Sequence, residues 1–287
     1  MKLSHRFTRT LKPVLAVAFI FGITTTAQAA ILAVDLTTSN SGTINGPLPV
    51  KFDYYKINTA GTGVIDPFLR IQGNGTEQGY NTTVANAGQL PFDDKFGAFT
   101  HDLSFSSLTA DSSGNYNFLL DIGEPVGNSQ SLLSLDGLKL YRTSTPGQNN
   151  TSVDANGNVN GIVGTVLWNL DALVNNYILL DSNRNGNPGN GFSDMLMSVP
   201  TSVFAGVGSS DYIVLWSRFG LQAGAQSGSG SDGTFEEWSH LRGNGNVVPC
   251  NPAVQQCGPS QIPEPTSLLL MSAGLIGFSL ARRRKSV

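Results

Sequence analysis

The sequence predicts an all-β protein, an antiparallel β-sandwich of jelly-roll kind with long polar loops. Three observations predict it. The apolar stretches are short and are separated by Gly, Asn, Ser and Pro. The clearest of them alternates with a period of two: in Asn115–Ile122, Tyr116, Phe118, Leu120 and Ile122 share one face while Asn115, Asn117 and Asp121 share the other. The composition, 40% hydrophobic with 33 Gly in 287 residues and no collagen-like period, excludes a disordered or fibrous chain.

The expected strands, in chain order, are Ile31–Leu36, Val50–Ile57, Val64–Ile71, Ala98–Phe105, Asn115–Ile122, Leu132–Leu135 and Leu138–Tyr141. They continue with Ile162–Leu170, Tyr177–Leu180, Asp194–Val199, Tyr212–Phe219 and Thr234–Leu241. Tyr212–Phe219 carries apolar side chains on both faces, the pattern of a central strand covered on both sides. Between Leu135 and Leu138 the apolar positions switch parity across Asp136-Gly137, which requires a bulge or a tight hairpin. Leu167, Leu170, Leu173 and Val174 have helical spacing, so a short helix competes with a strand there. Gln72–Gln89, Arg142–Gly161 and Gln222–Gly233 read as long polar loops.

Both ends read as addresses. Basic residues up to Lys12 precede the apolar run Val14–Ile23, and small residues at Ala27 and Ala29 follow. This is the pattern of a signal peptide over residues 1–29, cut by signal peptidase after Ala29. At the other end, Pro263-Glu264-Pro265 precedes sixteen apolar or small residues, 266–281, and then Arg282, Arg283, Arg284 and Lys285. As a helix this segment rises roughly 24 Å against a bilayer core of about 30 Å, so it spans only marginally. The basic cluster belongs on the cytoplasmic side, leaving residues 30–262 outside.

The tail resembles the PEP-CTERM sorting signal of Gram-negative bacteria. That resemblance implies a transmembrane sorting helix, held briefly in the inner membrane and cut near Pro263-Glu264-Pro265 by a membrane protease of the exosortase class. It also implies a cell-surface or matrix destination among exopolysaccharide- and biofilm-forming bacteria. A plain C-terminal anchor is the alternative. Within the domain, Asp136-Gly-Leu-Lys-Leu-Tyr141 resembles a strand of concanavalin-A-like and laminin-G-like jelly rolls over a few residues only.

The domain is therefore bounded at 30–242, with a linker at 243–262 in which Cys250 and Cys257 are expected to form a disulfide closing a small loop. Residues 30–262 hold nine bases against nineteen acids, a net charge of −10, which disfavours nucleic acid as a partner. The chain has 24 Asn, so neutral amides and hydroxyls outnumber bases on the expected surface.

Catalytic motifs are scarce. No G-x-S-x-G elbow, H-E-x-x-H, dinucleotide fingerprint or phosphate loop occurs. After the signal segment only His101 and His240 remain, both read as hydrogen-bonded surface residues. Glu236 and Glu237 adjoin Trp238, but consecutive strand positions point to opposite faces and cannot both flank one glycosidic bond. A hydrolase would have to draw its acids from Asp102, Glu236 and Glu237. Trp238 is a candidate platform for a sugar ring. Asp181-Ser-Asn183-Arg-Asn185-Gly186 matches the start of a calcium loop, although its twelfth position is Phe192 and the nearest later acid is Asp194. Asp181, Asn183, Asn185 and Asp194 are thus candidate calcium ligands, with an Asn-Gly turn as the alternative. The favoured function is a non-enzymatic exported surface or matrix protein associated with polysaccharide. A lectin-like carbohydrate-binding module, with or without calcium, is the second reading, and a polysaccharide-active hydrolase the third.

Overall fold

The computed structural model describes residues 29–242 except 59–64, 89, 126–129, 186–191 and 225. Its strands are β1 (Ile31–Asp35), β2 (Ser41–Ile44), β3 (Val50–Asn58), β4 (Ile65–Ile71), β5 (Glu77–Tyr80), β6 (Leu103–Ser104) and β7 (Asn115–Ile122). They continue with β8 (Leu132–Thr143), β9 (Thr165–Asn169), β10 (Asn176–Asp181), β11 (Phe192–Pro200), β12 (Tyr212–Phe219) and β13 (Glu236–Leu241). One sheet runs β1-β10-β8-β12-β5, with β9 also beside β8 and β6 also beside β12. The second runs β2-β3-β11-β7-β13-β4. β1 lies parallel to β10, and the remaining named pairs are antiparallel.

The sheets face each other across one apolar core, as a sandwich must. Phe52 of β3 meets Trp168 of β9 with ring centroids 5.9 Å apart. Trp238 of β13 donates its indole N–H across the layers to Ser217 Oγ of β12 at 3.0 Å. The alternation in β7 works as its sequence predicts: Phe118, Leu120 and Ile122 enter the core, and Phe118 meets Phe68 edge-on.

Leu133, Leu135, Leu138 and Leu140 all lie in this core although their parity changes. A bulge reconciles them. β8 runs unbroken through residues 132–143, and its register against β12 passes from Leu135 opposite Phe219 to Gly137 opposite Arg218, leaving Asp136 as the extra residue. The two short strands expected here are therefore one. Gly137 lies flat against the Trp216 ring, where a β-carbon would come within 2.6 Å of Cη2. Gly137→Ala should therefore cost about 1–3 kcal/mol by overpacking, seen as a lower urea midpoint with an unchanged slope. An unaltered midpoint would contradict this packing.

β12 is covered on both faces, as expected. Ile213, Leu215 and Phe219 face the core, while Val214 and Trp216 join Tyr80, Tyr141, Val159 and Ile162 in a second cluster. The 142–161 segment builds that cover: Tyr80 Oη donates to Asn150 O at 3.0 Å and Thr82 Oγ1 to Gln148 O at 2.7 Å.

Four sequence expectations change. The helical spacing at Leu167–Val174 does not produce a helix: residues 165–169 form β9, and a turn follows in which Leu173 is exposed. Ala98–Phe105 shrinks to β6, because the chain turns at Gly97, whose φ is 142°, and Thr100 N–H bonds back to Gly97 O. The supposed loop 72–89 contains β5, which pairs with β12. β2, Ser-Gly-Thr-Ile, was not expected either; it has almost no apolar pattern and forms by pairing with β3.

Candidate functional site

The outer face of the second sheet carries an open groove of about 340 Å³. β3 supplies Lys51 and Asp53, β7 supplies Asn115 and Asn117, β11 supplies Ser198, and Asp111 comes from the turn before β7. Alternation places these polar groups outward while their neighbours fill the core. They are held in position by one another. Lys51 Nζ lies 2.8 Å from Asp53 Oδ1, Ser198 Oγ donates to Asn117 Oδ1 at 2.9 Å, and Asn117 Nδ2 donates to Asp111 Oδ2 at 2.8 Å. Asp111 Oδ1 also accepts the backbone N–H groups of Ser113 and Asn115. Amide, hydroxyl, ammonium and carboxylate groups on one rigid sheet can exchange hydrogen bonds with a polyhydroxylated ligand.

Trp238 does not serve as the platform suggested above. Its ring is 0% exposed, in the core between the sheets, because β13 lies inside the second sheet between β7 and β4. Trp216 is equally buried. Among the described residues the most exposed aromatic rings are those of Phe96 and Phe99, the latter stacked on the Arg70 guanidinium at 4.4 Å.

Glu236 and Glu237 do point to opposite sides. Glu237 faces outward and is paired with Arg70, whose Nε lies 2.8 Å from its carboxylate. Glu236 faces inward and is completely buried. Asp102 is occupied in tying loops together: its carboxylate accepts the Thr83 hydroxyl at 2.5 Å and Gly147 N–H at 3.1 Å. His101 presents both ring nitrogens to backbone carbonyls, of Asp102 at 2.9 Å and Pro67 at 3.1 Å. His240 is no surface residue. It is 2% exposed, and burial pushes its pKa down.

Asp181 ends β10, and its Oδ1 accepts the backbone N–H of Asn183, an Asx turn leading into the 3-10 turn Ser182–Asn185. Asp194 sits on β11 with its Oδ2 accepting Ile122 N–H at 2.8 Å. Both acids act electrostatically on the Tyr54 hydroxyl, and Arg184 lies over the Tyr54 ring at 4.1 Å. The positive charge in this corner is thus a guanidinium, bonded to the carbonyls of Leu36 and Ser39. Residues 186–191 lie outside the described residues. So do Ala27, Cys250 and Cys257, Pro263, Glu264, Pro265, the sorting helix, and Arg282, Arg283, Arg284 and Lys285. Ala29, at the expected cleavage point, is exposed just before β1.

A carboxyl cluster went unrecognised in the sequence. Glu77 opens β5, Glu236 opens β13, and Glu124 lies just beyond β7, so three separate segments deliver them to one end of the sandwich. All three are at most 1% exposed. Glu77 accepts Gly73 N–H, and Glu124 accepts Asp232 N–H at 3.2 Å. Glu236 meets no group outside the cluster and is hydrogen-bonded through its carboxyl to Glu77 and Glu124. Burial pushes the pKa of all three upward, that of Glu124 to about 8; the neighbouring negative charges add to this, Asp93 on Glu77, Asp232 and Glu77 on Glu124, and Glu77 and Glu124 on Glu236. The signal in the sequence was parity: Glu236, Trp238 and His240 alternate on one side of the strand. Among the described residues no group of three or more His, Cys, Asp or Glu side chains could hold a metal ion.

Fold and site together define a β-sandwich domain with a polar groove on an outer face and a sealed carboxyl cluster at one end. Comparison with protein families matches residues 261–285 to the PEP-CTERM protein-sorting motif. The chain therefore carries that motif, which implies export, processing by an exosortase-type membrane protease, and surface sorting. No curated protein and no solved structure matches the chain, so the β-sandwich has no recognised family. No helix among the described residues is long and apolar enough to cross a membrane.

Proposed function

We propose that this protein is a non-enzymatic component of the cell surface or extracellular matrix, contacting exopolysaccharide through the groove on its second sheet. The sorting motif at 261–285 carries the reading, because it sets the compartment in which the domain works. The groove's mutually fixed amides, hydroxyls and charges, set out above, support a hydroxyl-rich ligand. A non-enzymatic role is favoured by the positions of the acids: Asp102 and Glu237 are bonded elsewhere and Glu236 is sealed from solvent.

The test uses protein recovered from a host that has an exosortase. Its intact mass should show a chain ending near Ile262, and a product still carrying Arg282–Arg284 would identify an anchor instead. Co-sedimentation with the producer's polysaccharide should then be saturable without new reducing ends. Asn117→Ala should weaken it about 3–10-fold, the worth of one or two hydrogen bonds. New reducing ends that vanish in Glu237→Gln would overturn the non-enzymatic reading. Absence of any binding would remove the polysaccharide role.

A further inference from the structure

We propose that Phe96 and Phe99 form a stacking platform for an uncharged polysaccharide, and that one extended chain lies across both this platform and the groove on the second sheet. The inference rests on the polysaccharide reading above and adds to it a second contact and the charge of the polymer. Phe96 is 65% exposed and Phe99 45%, and both lie on one segment that runs beside β4, the last strand of its sheet. Lys95 N–H donates to Arg70 O at 2.7 Å, Gln72 N–H to Asp93 O at 2.9 Å and His101 N–H to Phe68 O at 3.0 Å, so the segment is fastened to that strand. Phe99 is fixed as well as exposed. The Arg70 guanidinium lies 4.4 Å from the centre of its ring and 4.2 Å from that of Phe235, while Arg70 Nε lies 2.8 Å from the Glu237 carboxylate. A ring held in one orientation gives up little entropy when a ligand settles on it, and the apolar face of a pyranose suits such a surface.

Register puts platform and groove on the same face. Phe118, Leu120 and Ile122 of β7 enter the core, so Asn117 and Asp121 point outward. Glu237 of β13 lies opposite Asp121, and Arg70 of β4 lies opposite Glu237. The two contacts are thus separated by roughly 14 Å along the strands and 5–10 Å across them. A disaccharide reaches only one of them, whereas a polymer of several sugar units reaches both. The charges at each place are balanced within the protein, Arg70 by Glu237 and Lys51 by Asp53, and Asp111 is engaged by N–H groups of Ser113, Asn115 and Asn117. Residues 30–262 carry a net charge of −10, which repels an acidic polymer, and Lys95, exposed beside Phe96, sets one ammonium against that field. An uncharged chain, held by ring faces and by hydroxyl hydrogen bonds, is the ligand these groups complement.

The producer's polysaccharide is separated by anion exchange into uncharged and acidic fractions, and co-sedimentation of the protein recovered from the exosortase host is measured with each. The uncharged fraction should bind, with an affinity that changes less than about twofold between about 0.05 and 0.5 M salt. Phe99→Ala and Phe96→Ala should each weaken binding about 3–10-fold, with the melting temperature kept within about 2 °C. Phe99→Tyr keeps the ring and should keep the affinity. Disaccharide fragments from mild acid hydrolysis should bind at least about tenfold more weakly, because they meet a single contact. Full binding by Phe96→Ala and Phe99→Ala with loss in Asn117→Ala removes the platform and leaves the groove reading standing. Equal losses in Phe99→Tyr and Phe99→Ala overturn the stacking. Binding confined to the acidic fraction, and lost as salt rises, overturns the uncharged polymer. Binding to neither fraction removes the polysaccharide reading itself, and the platform with it.

Discussion

Trp238→Ala is expected to lower the free energy of unfolding by about 3–5 kcal/mol, the cost of emptying a large aromatic position in a closed core. The indole is wholly buried between the sheets, and its N–H is the donor to Ser217 Oγ at 3.0 Å. Truncation therefore removes packing and a cross-sheet hydrogen bond together. Trp238→Phe keeps most of the ring volume but loses the donor, and should cost about 1–2 kcal/mol. Urea unfolding followed by far-ultraviolet circular dichroism separates the two variants, since neither reading depends on the tryptophan removed. A loss below about 1 kcal/mol for the alanine variant, joined to weaker sugar binding, would return the ring to the surface role that its sequence context suggested.

The domain should be most stable near pH 5 and lose about 2–4 kcal/mol as the pH rises to 8. Burial first, and then repulsion by Asp232 and Glu77, raises Glu124 from an ordinary value near 4.5 to about 8. The folded carboxyl thus keeps a proton that the unfolded chain releases. Its contribution is fully present below about pH 4.5 and is lost as the pH passes through about 8. Glu236 and Glu77 shift the same way, and so does Asp171, which burial raises to about 6. Asp35, Asp111 and Asp154 act oppositely. Slight burial raises them, but hydrogen bonds from Thr37, Asn115 and Asn158 among others outweigh it and hold them below the ordinary value. Stability from these three is present above about pH 4 and falls in stronger acid. Melting temperatures between pH 4 and 9 measure the balance, and Glu236→Gln should flatten the limb above pH 5. A profile that rises from pH 5 to 8 would show that the cluster is not buried as described.

Much of the fold was legible because burial writes a period into a strand. Asn115–Ile122 and Tyr212–Phe219 have the bounds that alternation assigned. The parity switch at Asp136-Gly137 is the bulge that carries β8 through both halves of the sheet. What alternation could not show was pairing without side-chain pattern. β2 exists because β3 offers an edge, and β5 because β12 does, so their backbone hydrogen bonds stand in for the apolar residues they lack. Helical spacing at Leu167–Val174 lost to the sheet for a related reason: β8 presents a ladder to Thr165–Asn169, and Trp168 is buried against Phe52.

The sequence by itself determined the sorting tail, whose Pro-Glu-Pro, apolar run and basic cluster are contiguous and act as a linear signal. It also determined the β class, because a period of two is a local property. Which side chains meet was decided only by the tertiary structure. Glu77, Glu124 and Glu236 are separated by 47 and 112 positions and come together because β5 and β13 begin, and β7 ends, at the same end of the sandwich. The outward set Lys51, Asn117 and Ser198 becomes one groove because β3, β11 and β7 are neighbours in a sheet although not in the chain. A spacing rule sees only neighbours along the chain, whereas desolvation and hydrogen bonding act on whatever the fold brings into contact.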